Sequence, residues 1–306
     1  MKNTSPARPF LKWAGGKTQL LSQFEKYYPE ELKRGAIKKY VEPFLGGGAV
    51  FFEIAQKYAI ESAYLSDLNE ELILAYEVIQ KDPEKLLEVL FKYSKQYQLL
   101  EQDKRKEYFY DIRKCYNVQR LQIDYKRYSE NWIPRTAQMI FLNKTCFNGL
   151  YRLNRKGEFN VPYGAYKNPK ILDEENILNV SGLLQIAEIR IGHFEACEKF
   201  VDENSFVYFD PPYRPISPTS SFTSYSKYEF GDSEQIKLAA FFARLDHEKR
   251  AKLMLSNSDP TNIDPDDHFF DDLYIGYNIQ NVSANRMINC DGEKRGQINE
   301  LLIMNY

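Results

Sequence analysis

The apolar residues in the first third of the chain fall into two cycles, each a short run followed by a periodic stretch. In KKYVEPFLGGGAVFFEIAQKY an apolar strand leads through three glycines into a helix with apolar residues at helical spacing. In SAYLSDLNEELILAYEVIQ a short strand ends at Asp67 and a second helix follows. After Ala75 this alternation stops, and the chain is Lys- and Tyr-rich with a helical pattern up to about Asn143. A hairpin-like stretch comes next, FNGLYRLNRKGEFNVPYG, with Lys156-Gly157 at its expected tip.

Alternation resumes near Ile177. The stretches IAEIRIGHF, SFVYFDPPY and AKLMLSNSD each read as a buried strand followed by a polar turn. The tail holds DLYIGYNIQNVSANR and QINELLIMNY, two strands too close together for a helix between them, hence an antiparallel pair. The pattern predicts an α/β protein with a doubly wound, mostly parallel sheet and a terminal antiparallel hairpin. Residues 1–75 and 171–306 would form the core, and residues 76–170 a mainly helical insertion with a hairpin at 147–164.

Composition changes this picture in one respect. At 306 residues, 43% hydrophobic and 27% charged, the chain is an ordinary globular protein with a net charge of −2. That charge is unevenly spread. Residues 91–170 hold 17 Lys+Arg against 7 Asp+Glu, or +10, which leaves 24 basic and 36 acidic residues, or −12, for the rest. A basic block in an acidic chain is the footprint of polyanion binding confined to one part of a fold. The four cysteines form no C-x-x-C pair, so neither a structural zinc site nor a disulfide framework is expected. No apolar run approaches a membrane span or a signal-peptide core, and a cytoplasmic location without membrane contact is expected.

Three stretches carry candidate chemistry. The first, FLKWAGGKTQLL, ends like a phosphate-binding P-loop, but the glycine that must open such a loop is replaced by Leu11, and no apolar strand precedes it. The second is Gly46-Gly47-Gly48 at a strand's carboxyl end, where a ligand can approach the backbone and a helix N-terminus follows. Asp67 stands at the end of the next strand, where a carboxylate can hold both hydroxyls of a ribose. Phe51 occupies the place of the third glycine of a dinucleotide fingerprint, so a cofactor with a ribose and no pyrophosphate fits better, S-adenosylmethionine being the common one. The third stretch is Asp210-Pro211-Pro212-Tyr213, directly after the apolar FVYF. The exocyclic amine of a base is a poor nucleophile because its lone pair is delocalised into the ring. A carboxylate (Asp210) and a backbone carbonyl (Pro211) accepting its two N–H bonds favour the geometry that frees the lone pair. Tyr213 offers a face for the base to stack on. This chemistry calls for no metal.

Taken together, PFLKWAGGKTQLL, VEPFLGGGAVFF, LSDLNEELI, FNGLYRLNRKGEFNVPYGAYKNP and FVYFDPPYRPIS resemble the Dam-type DNA adenine-N6 methyltransferases, especially the GATC-modifying enzymes of restriction–modification systems. The correspondence runs from Pro9 to about Tyr306. It implies the fold of S-adenosylmethionine-dependent methyltransferases and, for 76–170, a target-recognition domain. It implies that Trp13 and Lys17 hold the methionine end of the cofactor, that Pro43, Gly46, Gly48, Asp67, His193, Phe194 and Asp210 line its site, and that S-adenosylhomocysteine is the product. Asp210, Pro211, Pro212 and Tyr213 would carry catalysis on double-stranded DNA, with an extruded adenine as target. Phe147 and Leu150 would wedge into the base stack, Arg152 would pair with a guanine, and Asn148, Arg155 and Lys156 would contact base or phosphate. The Ser/Thr/Tyr-rich loop from Arg214 to Phe230 would close over the extruded base. A cognate restriction endonuclease acting at the same site is a further possible partner. The chain departs from the family in IGHF, where His193 stands in a place that relatives often fill with an acidic residue.

Four other readings share some of these features. A cytosine-N4 methyltransferase usually carries Ser before Pro-Pro, and an RNA adenine methyltransferase commonly carries Asn there. A non-catalytic DNA-binding module would have no need of Asp210. A P-loop NTPase would lose hydrolysis on Lys17→Ala.

Overall fold

Each run read as a strand contains a strand in the computed structural model, which describes residues 5–214, 230–285 and 297–306, although the DLYIGY half of its run is a helix end and a turn. These are β1 (Lys39–Glu42), β2 (Ser62–Asp67), β3 (Ala187–Ile191), β4 (Ser205–Phe209), β5 (Lys252–Ser258), β6 (Asn278–Asn285) and β7 (Gln297–Met304). They form one seven-stranded sheet in the order β3-β2-β1-β4-β5-β7-β6. β1 pairs parallel with β2 and β4, and β4 pairs parallel with β5. β7 runs antiparallel to both β5 and β6. All five residues of β4 are buried, as a strand covered on both faces requires, and this is why SFVYF reads as a continuous apolar run. The strand order reverses between β1 and β4. In open sheets of this kind that reversal marks the ligand crevice, outside the strands' carboxyl ends. The chain leaves those two ends at Pro43 and Asp210.

The chain divides into two compact units. One comprises Met1–Gly16, Gly46–Gln56 and Asn69–Ile191. Its helices include Glu70–Lys81, Pro83–Leu99, Gln102–Gln119, Trp132–Thr145 and Glu174–Leu184. Asn69 caps the first, its side chain accepting from Leu72 N at 3.2 Å, and Pro83 opens the second with its preset φ. The helix Glu70–Lys81 runs without a break through the 75/76 position at which the sequence pattern changes. Trp132–Thr145 buries residues on every side and is the central helix of this unit. The 147–164 stretch is hairpin-like but not a pair of regular strands. Isolated bridges join Leu153 to Phe159 and Cys146 to Tyr163, around a turn in which Gly157 N donates to Asn154 O at 2.8 Å.

The other unit comprises Lys17–Leu45, Lys57–Leu68 and Gly192–Tyr306. Its core gathers Val41, Val207, Phe209, Phe241, Phe242, Leu253, Leu255 and Ile303, all buried. Each such side chain contributes about 1.5–3 kcal/mol relative to exposure. These residues anchor the strand ends that carry the candidate chemistry. Among the described residues no helix is long and apolar enough to cross a membrane.

Candidate active site

Asp210 leaves the end of β4 with its carboxylate one-fifth exposed, and Lys17 Nζ lies 2.7 Å from its Oδ1. Lys17 sits in a short 3₁₀ turn, Lys17–Gln19, and its side chain is only 4% exposed, so the pair joins a buried cation to a partly exposed carboxylate. Among the described residues no strand precedes the Gly-Gly-Lys-Thr segment, so the strand that leads into a P-loop is not found there. The same ammonium lies 4.0 Å from Glu300 Oε2 and 4.5 Å from the centroid of the Tyr213 ring. Tyr213 donates its hydroxyl to Glu300 Oε2 at 2.5 Å. Ser256 Oγ donates to Asp210 Oδ1 at 3.2 Å, and the Pro212 carbonyl accepts from Gln235 Nε2 at 3.1 Å. Burial pushes the Asp210 carboxyl above the usual aspartate range, against the pull of Lys17 and the Ser256 hydrogen bond. Burial does the same to Glu300, aided by the Asp210 charge and opposed by Lys17 and the Tyr213 hydroxyl. The phenol of Tyr213 is raised well above its ordinary value, first by burial and then by the two carboxylates, so it remains a donor.

The ends of β1 and β2 lie in the same unit. Leu45 N donates to Ser66 O at 2.9 Å, and Gly192 N donates to Asp67 O at 3.1 Å, which fixes the backbone on either side of the half-buried Asp67. Pro43 is buried. Next to it in sequence, the Phe44 ring packs 5.6 Å from Phe194 and 5.6 Å edge-on to Phe230. His193 is exposed, its ring 4.1 Å from that of Phe194, and its Nδ1 lies 3.4 Å from Glu195 Oε2. The ring thus stands where the family resemblance puts an acid, with a carboxylate two residues further on.

In the other unit Trp13 is half-buried, and its ring stacks on Tyr151 at 5.2 Å with 25° between planes. Gly46 adopts φ +48, and a Cβ there would meet Trp13 Cδ1 at 3.2 Å, so both conformation and space ask for glycine. The Gly46 carbonyl accepts from Tyr76 Oη at 3.2 Å. Gly48 O accepts the amide of Phe52 at 3.0 Å and so opens the helix Ala49–Lys57. Tyr151 is buried, and its hydroxyl meets that of Tyr116 at 3.2 Å. Tyr116 lies under the guanidinium of Arg135, which is 1% exposed and donates from Nε to Glu71 at 2.7 Å. Trp13 is thereby tied to a buried polar network that ends in the first turn of the helix after Asp67.

The recognition residues expected from the sequence also lie in this unit. Phe147, Asn148, Arg152, Arg155 and Lys156 are exposed, and Leu150 is half-buried. Arg152 is steadied by donating from Nε to Asn160 at 2.8 Å. Gly149, at φ +66, could not carry a Cβ without striking the Lys12 side chain, which brings an exposed cation beside this loop. Part of the basic block is committed to internal contacts. Arg105, Arg113 and Arg120 donate to main-chain carbonyls, and Arg135 is buried. Residues 215–229 of the expected closing loop lie outside the described residues.

These motifs, on a mostly parallel sheet with a terminal antiparallel pair, match the family model of D12 class N6 adenine-specific DNA methyltransferases over residues 13–288. The chain belongs to that family. It is 55% identical to the type II methyltransferase M.MjaIII of Methanocaldococcus jannaschii, over 98% of this chain and 99% of that one. It is 39% identical to the type II methyltransferase M1.LlaDCHI of Lactococcus lactis subsp. cremoris, over 100% and 98%. Identity to a DNA adenine methylase of Vibrio cholerae is 31%, over 97% and 95%. The sheet is that of an α/β methyltransferase, and the protein is an adenine-specific DNA methyltransferase.

Several residues around the motifs of this methyltransferase were not singled out by sequence reasoning. Glu300 and Ser256 reach Asp210 or its partners from strands distant in sequence, and no local signal marks them. Tyr151 had one signal, since it alternates with Leu150 and Arg152 in an extended segment and so faces the opposite way. Among the described residues no group of three His, Cys, Asp or Glu is placed to hold a metal ion.

Proposed function

We propose that this methyltransferase transfers a methyl group from S-adenosylmethionine to N6 of an adenine extruded from double-stranded DNA, with GATC as its site. The observation that carries this reading is the Asp210-Pro211-Pro212-Tyr213 corner, where a partly buried carboxylate and a tyrosine ring share one buried lysine at the end of β4. When bound, the cofactor supplies an electrophilic methyl on a sulfonium. The chain's own part is to hold the amine. Asp210 accepts one N6–H and the Pro211 carbonyl the other, while Tyr213 stacks on the base. Stacking of about 1–3 kcal/mol offsets much of the few kcal/mol needed to extrude it.

The cofactor reading draws on Asp67 for the ribose, on Pro43, His193 and Phe194 in the same unit, and on Trp13, Gly46 and Gly48 in the other. The residues fit such a group. At Gly46 the indole of Trp13 fills the place a Cβ would take, so the glycine lets that ring sit against the loop, and an indole face suits a sulfonium. Lys17, which the family resemblance links to the methionine end, is committed to Asp210 by its 2.7 Å contact. We therefore assign its first role to that carboxylate. Residues 76–170 serve as the target-recognition part, with Arg152 reading a guanine, Phe147 and Leu150 as wedges, and Asn148, Arg155 and Lys156 on base or phosphate. The enzyme would work in the cytoplasm, where its DNA lies, beside a restriction endonuclease of the same specificity.

The decisive experiment is transfer of labelled methyl to three short duplexes. One contains GATC, one the same bases scrambled, and one GATC with 2-aminopurine, which lacks the 6-amino group, for adenine. Label in the first alone supports reaction, atom and site together. Equal label in the scrambled duplex removes GATC, and label in the 2-aminopurine duplex removes N6. The Trp13 reading has its own check. Tyr151→Leu removes an aromatic stack of about 0.5–1.5 kcal/mol, so cofactor affinity measured by calorimetry falls about two- to tenfold, whereas Tyr151→Phe keeps most of it. Unchanged affinity in Tyr151→Leu would take Trp13 out of the cofactor site.

A further inference from the structure

The Asp210–Tyr213 corner contains an acid that its own segment does not supply. Glu300 lies on β7, opposite Ser258 of β5 and Val282 of β6, and its side chain is 14% exposed. Its Oε2 takes the Tyr213 hydroxyl at 2.5 Å and stands 4.0 Å from Lys17 Nζ. Lys17 already has a carboxylate at 2.7 Å in Asp210, so charge balance alone does not require a second one. Keeping a carboxylate in so poorly hydrated a place is costly unless it is well bonded. The strong bond it makes is to the phenol. The Tyr213 ring is thus held at its backbone by the Pro-Pro turn, on one face by the Lys17 ammonium at 4.5 Å, and at its hydroxyl by Glu300.

We infer that Glu300 is a positioning residue for methyl transfer, fixing through the Tyr213 hydroxyl the plane on which the target base stacks. The inference rests on the reading of Asp210–Tyr213 as the adenine site. A base held for attack tolerates little tilt, because a displacement of about 1 Å costs on the order of a hundredfold in rate. β7 is paired on both sides, by β5 and β6, and so gives the carboxylate a rigid support.

The test is a double-mutant cycle on the full-length protein, reading the single-turnover rate on the GATC duplex and, separately, the dissociation constant for S-adenosylhomocysteine. Glu300→Leu and Tyr213→Phe each slow transfer by about 10- to 100-fold. The double variant is no slower than the worse single one, because both remove the same contact. Glu300→Gln, whose amide oxygen still accepts from the phenol, restores most of the rate, and cofactor affinity hardly moves in any of them. Losses that multiply in the double variant overturn the inference, as does a Glu300→Gln variant as slow as Glu300→Leu. If Glu300→Leu fails to fold, Tyr213→Phe carries the test alone, and a wild-type rate there overturns it. Asp210→Ala separates the two levels. A full rate in that variant removes the adenine-site reading itself, whereas its loss beside unimpaired Glu300 and Tyr213 variants removes only the role of Glu300.

Discussion

Asp210→Ala slows single-turnover methyl transfer by about 10²–10⁴-fold, while binding of duplex DNA stays close to that of the unaltered protein. The effect originates in the amine. Its lone pair is spread into the adenine ring, and the nitrogen becomes nucleophilic only as it turns pyramidal. A carboxylate accepting an N–H favours that geometry more strongly than water does, since it carries a full charge already fixed in place. Asp210→Asn keeps an oxygen acceptor without the charge and falls between the two. The acid limb of the rate follows from the same group. Burial raises the Asp210 carboxyl above the ordinary aspartate value, so the base-accepting form is lost on acidification at a pH where an exposed aspartate would still be ionised. The rate therefore rises with pH through that raised value. Rapid-quench measurement of labelled methyl transfer across the acidic range reads both effects. A variant with full activity, or an acid limb at the ordinary aspartate value, would place the chemistry elsewhere.

Much of this architecture is written locally in the chain. The parallel strands announce themselves because burial on both faces demands unbroken apolar runs such as FVYF, and Asp67 and Asp210 stand at their ends because a turn into solvent follows. The final antiparallel pair is legible from spacing alone, as no helix fits between its strands. What is not legible is pairing between distant segments. Nothing near Lys17 says that its ammonium meets Asp210, since the two are brought together only by the fold. Glu300 reads as one of three polar residues at the start of β7 until that strand is laid beside β5. The basic block misleads in part for a similar reason. A guanidinium carries the same charge whether it faces a phosphate or bonds a carbonyl, as Arg105 and Arg113 do, and only tertiary placement tells them apart.

The Lys17–Asp210 pair leads to the second large effect. Lys17→Met, close in shape but without the cation, leaves two partly buried carboxylates without their shared cation, a loss of up to about 3–5 kcal/mol at neutral pH. The size of that loss depends on pH in a fixed direction. Lys17 pulls the Asp210 and Glu300 carboxyls down against burial, so removing it lets both rise further. A carboxyl raised in the folded state holds its proton more tightly folded than unfolded. The stability it lends is fully present below the unfolded value and disappears as pH climbs through the folded one. In acid both proteins carry protonated carboxyls and the variant is nearly as stable as the parent. As pH rises, the parent ionises them beside a cation and the variant ionises them without it, so the gap widens. Thermal unfolding of both proteins from about pH 5 to about pH 8 measures that gap. The acid limb of methyl transfer in Lys17→Met moves to higher pH in step, because the same unprotected Asp210 must lose its proton before it can accept from the adenine amine. A stability gap that stays flat with pH, or an acid limb that does not move, would mean that Lys17 answers to some group other than these carboxylates, and its role would return to the cofactor.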